Sequence, residues 1–157
     1  MRYPVMLLLL AGALLAARDL HDLPRVWAET EAVEARAESV ARFHATLART
    51  QHDLETGKLS LARAADTVWA CARRERTGYL CGLAVEFADS PERERVALSL
   101  LSHLRAESRA SRAPYAALLL HDLCCELQDW PGVNPSTLAA ARTLDLEDAP
   151  QAHSRSW

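Results

Sequence analysis

Apolar residues recur at helical spacing along most of this chain. Val26, Val33, Val40, Leu47 and Leu54 stand seven residues apart. That spacing predicts a long helix over about residues 23–56, with Asp22 as its cap and Pro24 in its first turn. Four residues beyond each apolar position stand Thr30, Ala37, His44 and Gln51, so only half of a coiled-coil seam is apolar. Such a stripe suits a helix laid lengthwise on others, with Trp27 and Phe43 widening it. Gly57 is placed to end the helix in the left-handed conformation. Ser60 then caps a second helix, where Leu61, Ala64, Ala65, Val68, Cys71 and Ala72 share one face. A short third helix sets Leu80, Leu83, Ala84 and Phe87 together. Asp89-Ser90-Pro91-Glu92 reads as a stop and a new start, with Ser90 as the cap. The fourth helix then buries Val96, Ala97, Leu100, Leu101 and Leu104. "ESRASRAP" reads as a polar connector, and a fifth helix runs from about Pro114 to Pro131-Gly132. A brief helix over about residues 136–144 is expected, then a polar, disordered tail.

The N-terminus follows another rule. From Tyr3 to Ala17 the chain carries no charge. A helix of that length spans about 22 Å, against a bilayer core of about 30 Å. The run suits a signal peptide better than a spanning helix. Cleavage after Ala17 would leave Leu15 where a small residue is expected, so an uncleaved signal anchor competes. A buried N-terminal helix of a cytoplasmic protein is the third reading. No Cys follows the run directly, which excludes a lipoprotein anchor. The expected organisation is a signal peptide or anchor over residues 1–22, a helical bundle over 23–131, and a short helix with its tail over 132–157. Membrane contact would run through residues 3–17 if they are retained.

Composition agrees with an all-α chain: a small helical bundle with one long N-terminal helix behind a short apolar segment. Gly occurs five times in 157 residues, too seldom for a fold built on strands and tight turns. The net charge of −3 gives no support to nucleic-acid binding. Familiar catalytic patterns are missing. "TGKLS" lacks the upstream glycine of a phosphate loop, and there is no G-x-S-x-G, H-E-x-x-H or C-x-x-C.

The stretch "LLLHDLCCELQDW" over residues 118–130 holds the most suggestive chemistry. His121, Cys124 and Cys125 fall within about one helical turn, and soft metals bind such residues. At about 100° per residue, Ala116, Leu119, Leu120, Leu127 and Trp130 cluster around Leu123 as the core face. Cys124 falls on the flank of that face, while His121 and Cys125 are i,i+4 neighbours on the back with Leu118. A metal site would need further ligands from elsewhere, such as His44, His103 or Glu126. The bland alternative is packing, with His121 and the cysteines as ordinary structural residues. Cys71, Cys81, Cys124 and Cys125 form an even set, so bridges from 124 or 125 to 71 or 81 are a further option. His44 and His103 sit where a histidine is ordinarily structural, and Glu92-Arg93-Glu94-Arg95 reads as a solvated first turn.

"GKLSLARAA" (57–65) and "DSPERERVALSLLSHL" (89–104) resemble helix starts in a group of uncharacterised bacterial helical proteins. The resemblance covers about residues 30–105. It implies helix boundaries and no activity, substrate or cofactor. The expectation is therefore a non-enzymatic interaction or structural module, membrane-tethered or exported. It would meet a protein partner or itself through Val26, Val33, Val40, Leu47 and Leu54. The competing expectation is a thiol- or metal-binding module using His121, Cys124 and Cys125.

Overall fold

The computed structural model describes the backbone over 3–111 and 114–146, and side chains over 28–110 and 115–145. The protein is all-helical, with six helices and no strand among these residues: α1 (Tyr3–Glu55), α2 (Leu61–Arg74), α3 (Tyr79–Glu86), α4 (Glu92–Ser111), α5 (Pro114–Gln128) and α6 (Pro135–Leu146). It divides into two units, Met1–Ser39 and Val40–Trp157.

The first unit is the N-terminal part of α1. The helix starts at Tyr3 rather than at Leu23, and passes Asp22 and Pro24 without a break. An interior proline costs a helix about 3 kcal/mol, set against the Leu-rich turns before it and the Ala- and Glu-rich turns after it. Side chains of the expected signal or anchor segment, residues 1–22, lie outside the described residues. Among the described residues, no helix is long and apolar enough to cross a membrane. From residue 28 to residue 38 every side chain is exposed.

In the second unit, α1 turns Phe43, Thr50 and Leu54 into the core, and Leu47 packs against it. Glu75, at the end of α2, accepts from Arg42 Nη2 at 3.1 Å and ties the two helices together. Gly57 has φ 68° and closes α1 with bonds from its N–H to Leu54 O and from Lys58 N–H to Asp53 O. On α2 the buried residues are the six that the spacing assigns. Its first N–H groups are capped twice. Ser60 Oγ accepts from Arg63 N, and the Glu126 carboxylate accepts from Leu61 N and Ala62 N at 2.9 Å each.

Helix α4 is the centre of the unit, touching α2, α3, α5 and α6. Its predicted stripe is buried, and Leu98 is buried as well, because neighbours cover α4 on more than one side. The helix also extends through the expected connector to Ser111. Nothing in Glu107–Ser111 breaks a helix, and Ser108 continues the buried stripe one turn beyond Leu104. Helix α6, set apart by the sequence reading, belongs to the bundle. Thr137 and Ala141 are fully buried, and α6 packs on α4 and α5.

The charge run at the start of α4 is wired to its neighbours, with Glu94 buried and Glu92 still exposed. Glu92 accepts from Trp69 Nε1 at 3.1 Å. Arg93 holds Asp66 in a two-point ion pair and lies 4.4 Å from the Trp130 ring centre. Arg95 donates to Phe87 O and Ala88 O, both at 2.9 Å, beyond the end of α3. Glu94 is buried and accepts from Asn134 N at 3.1 Å and from the Thr137 hydroxyl. The Ser90 hydroxyl, expected as a cap, instead meets that of Thr137 at 2.8 Å.

Two substitutions test this wiring in urea unfolding. Glu126→Ala strips two N–H groups of their acceptor and should cost about 2 kcal/mol. Thr137→Val deprives Glu94 and Ser90 of a buried partner and should cost about 1–3 kcal/mol.

Candidate functional site

Two features of the described residues stand out: the uncovered part of the α1 stripe and a thiol cluster between α5 and α6. On the stripe, Leu54 is 1% exposed, Val40 38% and Val33 68%. The apolar pattern thus continues into exposed residues. Val26 lies where side chains are not described. His44, on the same helix, is exposed and contacts the Phe43 ring edge-on.

The thiol cluster is built on α5. Leu120, Leu123, Cys124 and Leu127 are buried, which moves the core face toward Cys124 and away from Leu119. Cys124 leaves the flank where helical projection put it because α6 covers that side. Its Sγ lies 3.8 Å from Ala141 O. His121, Cys125 and Leu118 are exposed on the back. Spacing by i,i+4 brings Cys125 Sγ to 3.8 Å from His121 Nε2. From α6, Asp145 places both carboxylate oxygens 3.1 Å from His121 Nδ1. A neutral imidazole that donates from Nδ1 to Asp145 keeps Nε2 as the acceptor toward the thiol. The sequence reading missed Asp145, which it assigned to the tail.

The structure does not bring the other proposed ligands to this place. Glu126 caps α2, and His103 Nε2 lies 3.7 Å from Glu55. Among the described residues, no group of three or more His, Cys, Asp or Glu could hold a metal ion. All four cysteines are free, with Cys71 and Cys124 buried and Cys81 and Cys125 exposed. A cleft of about 220 Å³ is lined by Glu55, Leu104, Glu107, Tyr115, Ala116 and Leu119, apart from the thiol cluster. No family model, curated protein or solved structure matches the chain.

Burial pushes the Cys124 thiol from an ordinary 9.0 up to about 12, with the nearby charges of Asp145 and Cys125 adding to the rise. Burial likewise raises Tyr79, against the smaller opposing effect of its bond to Ser99. Above pH 9 the unfolded chain ionises the Cys124 thiol while the folded chain keeps it protonated. Stability therefore falls as pH climbs from 9 toward about 12. Urea titrations across that window should show a shallower loss for Cys124→Ala than for the natural chain. Equal slopes would contradict this account.

Proposed function

We propose that the chain is an all-helical interaction module that pairs with a second copy of itself through the N-terminal part of α1. The observation that supports this reading is the exposure of Val33 and Val40 on a stripe whose continuation is core. A helix segment without tertiary cover is marginal in water, since helices gain most of their stability from packing. A second copy supplies a matching stripe. With Val26, Val33 and Val40 taken as the first seam position of a heptad, the alternative to the frame that sets Thr30 and Ala37 beside them, Glu29 and Arg36 fall at the second. In-register parallel copies would set Glu29 against Glu29 and Arg36 against Arg36. Antiparallel copies bring each Glu29 into the same stretch as the other copy's Arg36. The flanking positions Thr30, Ala32, Ala37 and Ser39 are small and uncharged, which permits close approach. Glu31, Glu34 and Glu38 fall on the outer face of that frame.

The reading assigns the chain a non-enzymatic role. It includes residues 3–17 as the part that tethers it to a membrane or directs its export. A tether would favour pairing by raising the local concentration of copies.

Sedimentation velocity on the full chain tests the pairing. The natural chain should sediment as a dimer. The double variant Val33→Glu, Val40→Glu should associate at least about tenfold more weakly, because charges replace the apolar side chains at two seam positions. Its helical circular dichroism should remain. A monomeric natural chain, or a variant that dimerises equally well, would refute the reading.

A further inference from the structure

Three groups stand in a row on the exposed side of α5: the Cys125 thiol, the His121 imidazole and the Asp145 carboxylate. Sγ lies 3.8 Å from Nε2, and Nδ1 lies 3.1 Å from each carboxylate oxygen. A nucleophile beside a base, with the base oriented by a third group, is the arrangement that activates a thiol. Two separate elements of the fold create it. The helical repeat of α5 supplies the thiol–imidazole pair, and the docking of α6 supplies the carboxylate. Among the described residues, the titratable groups that face the pair are Asp145 and the neighbouring Cys124 thiol.

We propose that Cys125 is a thiol–disulfide exchange site for low-molecular-weight disulfides, with His121 as its proton acceptor and Asp145 as the positioning residue that holds the imidazole. The exposure of Cys125 favours this electrophile, because disulfide exchange needs access for a second sulfur and no pocket for a developing oxyanion. In the step, Cys125 gives its proton to His121 Nε2 and the sulfur attacks one sulfur of the disulfide. A new S–S bond joins Cys125 to half of the reagent, and the old S–S bond breaks. The departing thiolate takes the proton back from the imidazolium, leaving one mixed disulfide and one free small thiol. No net oxidant or reductant is needed beyond the disulfide itself.

The chain carries its own references. Cys124 adjoins Cys125 in sequence but is buried and held protonated. Cys81 is exposed and makes no hydrogen bond to an imidazole among the described residues. The full chain is pulsed with oxidised glutathione, quenched with acid, and read residue by residue by mass spectrometry across a pH series. At about neutral pH, Cys125 should form the mixed disulfide about tenfold faster than Cys81, while Cys71 and Cys124 stay unmodified. His121→Gln should bring the Cys125 pH profile onto that of Cys81. Asp145→Asn should lower the Cys125 rate at neutral pH, and Asp145→Glu should recover it. Equal rates at Cys125 and Cys81 in the natural chain would overturn the proposal, as would a His121→Gln profile identical to the natural one. An Asp145→Asn chain that loses stability but keeps the Cys125 profile would overturn the positioning role.

Discussion

The bundle depends on the first turn of α4. Four successive charged side chains leave that turn toward different neighbours: Glu92 toward α2, Arg93 toward α2 and Trp130, Glu94 toward the start of α6, and Arg95 toward the end of α3. Exposed ion pairs taken singly contribute little, because water screens them and their side chains lose freedom. Glu94 is different. It is buried, its carboxylate is matched by an N–H and a hydroxyl, and losing either partner leaves an expensive buried oxygen. The apolar stripe of α4 supplies the driving force for collapse. The polar turn at its end fixes how the surrounding helices sit on it.

Local rules are what the sequence made legible. Residue spacing identified all six buried positions of α2, the main stripe of α4 and the left-handed turn at Gly57, because each depends on neighbours within a turn or two. The errors came from tertiary partners. Glu94 looks solvated until Asn134 and Thr137 are brought to it, and Trp69 and Asp66, the partners of exposed Glu92 and half-exposed Arg93, lie on another helix. Leu98 looks peripheral until α4 is covered on more than one side. The α4 boundary was misplaced because Arg, Ser and Ala in a row read as a connector, although none of them ends a helix.

The thiol cluster divides along the same line. The i,i+4 relation of His121 and Cys125 follows from helical geometry alone, as does their distance from Leu123. Asp145 does not, since it stands 24 residues from His121 and reaches it only when α6 docks on α5. Glu126 illustrates the converse. By residue type it is a possible ligand, and in the fold it is committed to the first N–H groups of α2.

The central place of α4 has a consequence for how this protein opens. Its neighbours α2, α3, α5 and α6 all lie within a few tens of residues along the chain, so the loops closed during folding are short and rapidly formed. Once they are closed, the amides of α4 along its buried stripe, from Val96 to Leu104, can meet solvent only when several helices leave together. Hydrogen exchange there would report global unfolding, while in an unpaired copy the amides of α1 between residues 28 and 38 would exchange by local opening. The molecule would then hold slowly and rapidly exchanging helical backbone in segments of similar local propensity, separated only by what covers them.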